Sequence, residues 1–174
     1  MRLLAEAEEL FAADAVRAAV ERLGAEISAK LKDEFPVVLS VMGGAAIFTG
    51  QLLPLLHFPL EFGAIEVTRY NNDIQGREIT WRLPPRDNVR ERVVLVLDDI
   101  LDEGITLAAI HKRLIEMGAR EVYCAVFADK AIGRPKPITA DFIGVTVPNR
   151  YVFGFGMDAY GLWRNLPAIY ALKD

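Results

Sequence analysis

The stretch Val93-Val94-Leu95-Val96-Leu97-Asp98-Asp99-Ile100-Leu101-Asp102-Glu103-Gly104-Ile105-Thr106 limits the possible folds more than any other in the chain. Five apolar residues run without interruption into two adjacent acids. A run with no polar alternation suits a parallel strand covered on both faces. Downstream, Leu107, Ile110, Leu114 and Met117 recur at three- and four-residue spacing, which predicts a helix with Gly118 as its stop. Glu121 to Phe127 reads as a second strand. Strand, helix and strand form a βαβ unit, and the acidic loop lies at the carboxyl end of its first strand. Open parallel sheets bind ligands at that edge.

The chemistry of the loop is specific. Asp98 and Asp99 are neighbours on a strand, so their side chains point to opposite sides. Such a pair suits a hydrated Mg²⁺ or sugar hydroxyls, both of which take oxygen ligands. Gly104 permits close approach of a ligand to the backbone, and Thr106 supplies a hydroxyl where the helix begins. Amides at a helix start, with the positive end of its dipole, favour phosphate. Acids for ribose or metal followed by amides for phosphate describe a ribose-phosphate site. A plainer alternative is an ordinary loop in which Asp102 caps the helix. Burying three acids near a strand end is costly without a compensating cation or donor, which favours the ligand site.

Leu97 to Thr106 resembles the phosphoribosyl-pyrophosphate (PRPP) signature of the type I phosphoribosyltransferases: an apolar run, two acids, two apolar residues, then Asp-Thr-Gly-x-Thr. Tyr151-Val152-Phe153-Gly154-Phe155-Gly156-Met157-Asp158 resembles a second segment, aromatic-Val-x-Gly-x-x-x-Asp, and narrows the likeness to the hypoxanthine-guanine phosphoribosyltransferases. The resemblance spans about residues 37–172. It implies an α/β fold with an open, mostly parallel twisted sheet, helices on both faces, a small hood and a flexible flap. It also implies Mg²⁺-dependent transfer of 5-phosphoribosyl from PRPP to hypoxanthine or guanine, giving IMP or GMP and pyrophosphate.

Site residues carry over position by position. Asp98 and Asp99 would serve the ribose hydroxyls and metal, and Asp158 a second Mg²⁺. Asp102 would accept the purine N7 proton, and Glu103, Gly104, Ile105 and Thr106 would hold the 5′-phosphate. Gly43 and Gly44 follow the strand ending at Met42 and would offer amides to pyrophosphate, with Arg164 supplying a guanidinium. Lys130 would meet the oxygen at purine C6, Tyr151 would stack on the base, and Val152 would present main-chain groups to its edge. Arg69 and Tyr70 stand at the base of the flap, where the family has Ser-Tyr. Other departures are Met42 in place of a Lys, Ile105, and Glu103 in place of a Thr. We expect the Glu103 carboxylate to point away from the phosphate, so that only its amide is used.

Length and composition set the frame for the rest. The 174 residues, 52% of them hydrophobic, suit one domain with a full core. The net charge of −4 argues against a nucleic-acid face. Cys124, the single cysteine, lies in an apolar strand and, with two scattered histidines, forms no zinc site. No signal-peptide layout or membrane-length apolar run is present, so a soluble cytoplasmic protein is expected. Within one domain, residues 1–35 read as two helices. Ala5 to Phe11 forms the first, and Asp14 caps a second with the stripe Val16, Val20, Leu23, Ile27 and Leu31. Strands follow near 36–42, 62–67 and 141–148, with a helix from Ala45 to Leu53. Residues 68–87 form the flap and residues 140–174 the hood with the purine-binding segment. The family's habit implies a homodimer or homotetramer. Two other readings stay open: the same chemistry on xanthine or another base, and a non-catalytic PRPP sensor. Asp102 and Lys130 argue for catalysis, which a sensor does not need.

Overall fold

The computed structural model describes residues 2–69 and 79–173, with only the backbone at Arg2 and Arg69. The elements run α1 (Arg2–Glu6), β1 (Glu8–Phe11), α2 (Ala13–Leu31), β2 (Val37–Met42), α3 (Ala46–Leu52), β3 (Glu61–Arg69) and β4 (Ile79–Leu83). They continue β5 (Val93–Leu101), α4 (Ile105–Glu116), β6 (Glu121–Ala131), β7 (Phe142–Pro148), β8 (Val152–Phe153) and β9 (Ile169–Ala171). The main sheet has the order β4-β3-β2-β5-β6-β7, with β4 antiparallel to β3 and the other neighbours parallel.

The apolar run of β5 explains the layering. Val93, Leu95 and Leu97 pack with the α2 stripe and with Phe48 and Leu52 of α3. Val94 and Val96 pack on the opposite face with Leu107, Ile110 and Leu114 of α4. Alternate residues of one strand thus serve two cores, so no position in the run can be polar. Each of the three α4 side chains, fully buried, contributes about 1.5–3 kcal/mol of hydrophobic stabilisation.

Several boundaries differ from the sequence reading. Residues 5–11 do not form one helix: α1 ends at Glu6, and Glu8 to Phe11 pair antiparallel with β9. Pairing with a distant strand overrides local helix preference here. Arg150 reinforces the join, donating to Glu8 at 2.6 Å and to the Leu172 carbonyl at 2.7 Å. Asp14 does not cap α2. The N-cap is Ala12, with no side-chain bond, and Asp14 sits in the first turn, where its charge still favours the helix dipole. The hood also departs from the range 140–174. β7 belongs to the main sheet, and the small sheet is β1-β9-β8, built from both ends of the chain. Strand β5 extends to Leu101 and β6 to Ala131, so Asp98, Asp99 and Lys130 lie within strands, Asp98 paired with Val126 and Lys130 with Val147. Backbone pairing continues past the point where side chains turn polar.

The β3-β4 hairpin forms the arms of the expected flap, with Val67 opposite Trp81. Tyr70 and residues 71–78 lie outside the described residues, as does the Arg69 side chain. No helix among the described residues is long and apolar enough to cross a membrane.

Cys124 is buried in β6, and loss of solvation pushes its thiol up to about 12. A thiol reagent at pH 8 should therefore leave native protein unlabelled over hours and label one thiol per chain after unfolding in guanidinium. Rapid native labelling would contradict the packing of β6.

Candidate active site

At the carboxyl edge of the sheet, one cleft of about 290 Å³ is walled by Val41, Met42, Gly43, Gly44, Asp98, Asp99, Asp102, Gly104, Thr106, Asp158 and Arg164, among others. Residues from four separate parts of the sequence therefore converge, because β2 and β5 are neighbours and the hood folds back over them.

The acidic end of β5 is ordered by its own backbone. The Asp99 amide donates to Asp98 Oδ1 at 3.0 Å, and the Ile100 amide donates to Asp99 Oδ1 at 2.8 Å. Burial pushes the Asp99 carboxyl above its ordinary range, against the opposing pull of hydrogen bonds from Asp98 and Ile100 and of the Arg164 charge. The Gly43-Gly44 turn presses on this carboxylate: a Cβ at Gly44 would overlap Asp99 Oδ2. Gly156, at φ +100°, lies so close to the Gly44 carbonyl that only glycine fits there. The loop is held between strand β5 and the hood.

Arg164 closes the hood side. Its Nη1 donates to the Gly156 carbonyl at 2.6 Å and lies 3.9 Å from Asp99 Oδ2, and its Nη2 meets Asp158 Oδ1 at 2.8 Å. Among the described residues it is the one basic side chain on the cleft wall. Met42 is 39% exposed and occupies the rim, so the cleft gains no cation from β2.

A helix start borders the same cleft through Gly104 and Thr106. Helix α4 begins after Gly104, at φ +81°, and no side chain caps it. Its first turn has no intrahelical carbonyls to satisfy its amides. Asp102, the alternative cap, instead meets Lys130 Nζ at 2.7 Å. Glu103 is drawn to Arg134 at 2.8 Å, and neither Glu103 nor Ile105 lines the cleft. Lys130 adjoins the cleft through Asp102. Tyr151 and Val152 stand outside its wall: Tyr151 is 46% exposed and stacked against Tyr160 at 5.9 Å and 14°, while Val152 is buried in β8. Phe153 and Phe155 are fully buried, so of the three alternating aromatics Tyr151 alone is presented.

The carboxylates fit a hard divalent cation. Asp98, Asp99 and Asp158 supply oxygen donors, and a cation would relieve the cost of burying Asp99. Among the described residues no three acidic, cysteine or histidine side chains form a ready cage.

The model of the phosphoribosyl transferase domain matches residues 6–160. The hypoxanthine-guanine phosphoribosyltransferase of Bacillus subtilis is 32% identical over 165 residues, covering 94% of this chain and 92% of that one. The chain belongs to the hypoxanthine-guanine phosphoribosyltransferase family. The hypoxanthine-guanine-xanthine phosphoribosyltransferase of Tritrichomonas foetus is 31% identical, covering 95% of this chain and 91% of its own. A hypoxanthine phosphoribosyltransferase from Staphylococcus aureus superposes with a TM-score of 0.90 at 25% identity, covering 99% of this chain and 95% of that one. The mostly parallel α/β architecture is therefore that of the family. Sequence reading did not single out Gly156, which abuts the Gly44 carbonyl, or Arg134 and Lys136, which meet Glu103 and the Leu101 carbonyl. The first shows only through its contact with Gly44, and the other two sit in a loop that lacks any periodic pattern.

The burial of Asp99 has a pH consequence. Its folded value lies above the unfolded value of about 3.9, so folding favours the protonated form and stability falls as pH rises between the two. Ligand-free Asp99→Asn should melt a few degrees above wild type at pH 7, with the gap closing near pH 4. A lower melting temperature at pH 7 would contradict the assignment.

Proposed function

We propose that this chain transfers the 5-phosphoribosyl group of PRPP to N9 of hypoxanthine or guanine, with release of pyrophosphate, as a purine-salvage enzyme. The observation that carries this reading is the Asp102-Lys130 pair, 2.7 Å apart beside the acid and glycine loops. A 6-oxopurine carries an acceptor at O6 next to a protonated N7. Lys130 donates to the first and Asp102 accepts from the second, so the base edge takes over a pair that the free enzyme keeps closed.

In the reaction the C1′–oxygen bond breaks, with its electron pair leaving on pyrophosphate. The C1′–N9 bond forms, and the N7 proton passes to Asp102. The Gly104 to Thr106 turn holds the 5′-phosphate through helix-start amides. Asp98 and Asp99 engage the ribose hydroxyls, and the Gly43 and Gly44 amides with Arg164 orient pyrophosphate. Tyr151 stacks on the purine, and the Val152 main chain meets its edge. Mg²⁺, held by Asp98, Asp99 and Asp158 together with substrate oxygens, would neutralise leaving-group charge. A flap carried by the β3-β4 arms, with Arg69 and Tyr70 at its base by the family resemblance, would exclude water from the reactive sugar. Catalysis then rests on positioning and electrostatics.

The absence of Lys at position 42 leaves pyrophosphate binding to amides and Arg164. Drawn toward Arg134, Glu103 places less charge against the phosphate than its position in the sequence suggests. A non-catalytic sensor is disfavoured because it gives no purpose to Asp102 and Lys130. We also assign the chain to the cytoplasm, where the unpaired Cys124 suits a reducing medium, and to a homodimer or homotetramer.

A spectrophotometric assay with Mg²⁺, PRPP and each of hypoxanthine, guanine, xanthine and adenine tests this reading. Hypoxanthine and guanine should turn over and adenine should not. Asp102→Asn should lower kcat at least about 100-fold. Turnover of adenine, or full activity of the variant, would refute the roles given to Lys130 and Asp102.

A further inference from the structure

The loop of residues 132–140 contacts residues adjacent to the catalytic pair, and the mechanism above gives its Lys136 no role. Lys136 is the point of contact. Its side chain is 11% exposed, yet its Nζ donates to the Leu101 carbonyl at 2.7 Å and to Asp129 Oδ1 at 2.5 Å. Leu101 and Asp129 face each other as the last ladder pair assigned between β5 and β6. Each immediately precedes a member of the catalytic pair, Asp102 or Lys130. One ammonium group therefore ties together the two strand ends that carry the acid and the cation.

Neighbouring contacts come from the same loop. Arg134 meets Glu103 at 2.8 Å, and a Cβ on Gly104 would lie 3.3 Å from Pro137 Cδ and 3.4 Å from Lys136 Cβ. The segment thus packs against the acidic loop from Leu101 to Gly104, and Lys136 is not among the residues that wall the cleft. The assigned β5-β6 ladder ends at Leu101, and the chain beyond it runs into Gly104 at positive φ, so Lys136 braces the strand ends where ladder pairing stops. A displacement of about 1 Å in a reacting group costs about 100-fold in rate. Burying an amine on a flexible four-carbon stem has a desolvation cost, and here two oxygen acceptors offset it.

We propose that Lys136 is a positioning residue that sets the spacing of Asp102 and Lys130 by clamping the Leu101 carbonyl to Asp129. The proposal rests on the assignment of Asp102 and Lys130 to the purine edge. Removing Lys136 alone leaves Asp129 without its partner, which by itself destabilises the fold. The test therefore compares wild type, Lys136→Met, Lys136→Arg and the double variant Lys136→Met with Asp129→Asn, in melting temperature and in kcat with hypoxanthine and saturating PRPP. Lys136→Met should lose stability and at least tenfold in kcat. The double variant should regain most of the melting temperature, because no unpaired carboxylate remains, but not the kcat. Lys136→Arg keeps a cation with several donors and should recover most of the kcat.

Wild-type kcat in the double variant would overturn the proposal, since the clamp would then be structural only. Equal kcat in Lys136→Met and Lys136→Arg would overturn it also. Asp102→Asn, run alongside, separates the two levels. If it loses activity while the double variant does not, the purine-edge reading stands and this one fails. Full activity in Asp102→Asn removes both.

Discussion

A carboxylate in a poorly solvated place must be compensated, and the architecture of this site follows from that requirement. Strand β5 spends its first five residues on two hydrophobic cores and then delivers Asp98, Asp99 and Asp102 to the carboxyl edge of the sheet. Asp99 is covered by the Gly43-Gly44 turn and faced by Arg164, and Asp102 is met by Lys130. The hood exists in part to bring Arg164 and Asp158 over this edge, and Gly156 lets it come close enough. Each compensating group is also one that a phosphoribosyl donor or a 6-oxopurine would engage. Binding can therefore proceed by exchange of partners with little creation of new charge.

Much of this was legible in the sequence because β5 is buried on both faces. A continuous apolar run admits few structures, and the acids that end it admit few ligands. The resemblance of Leu97 to Thr106 and of Tyr151 to Asp158 then placed the remaining site residues in order along the chain. The geometry brings Gly43, Gly44, Asp98, Asp99, Asp102, Gly104, Thr106, Asp158 and Arg164 to one cleft. The Glu103 carboxylate accepts from Arg134 and does not line that cleft.

The parts that could not be read depend on partners distant in sequence. Residues 8–11 become a strand only because Ile169 to Ala171 lies beside them, and no local pattern records that pairing. Strand ends at Leu101 and Ala131 outrun the apolar runs because ladder hydrogen bonds are blind to side-chain polarity. Lys136 sits between two prolines in a loop, where a lysine ordinarily faces water. Its burial against Leu101 and Asp129 is a property of the folded sheet edge alone. Gly156 reads as one of several turn glycines until the approach of the Gly44 carbonyl is seen.

The central claim is that Asp102 and Lys130 together read the N7 and O6 edge of a 6-oxopurine, the shared proton lying on N7 in the base and on Asp102 once the nucleotide has formed. Isothermal titration of the chain with IMP and, separately, AMP in the presence of Mg²⁺ measures that discrimination without turnover. The two nucleotides share ribose and phosphate and differ at C6, where AMP offers a donor to Lys130 in place of an acceptor. IMP should bind at least about 100-fold more tightly, since AMP sets its amino group against the largely buried Lys130 ammonium and leaves that donor without an acceptor on the base. Equal affinities would contradict the account, because the phosphate and ribose contacts would then carry all the binding and the pair would read nothing.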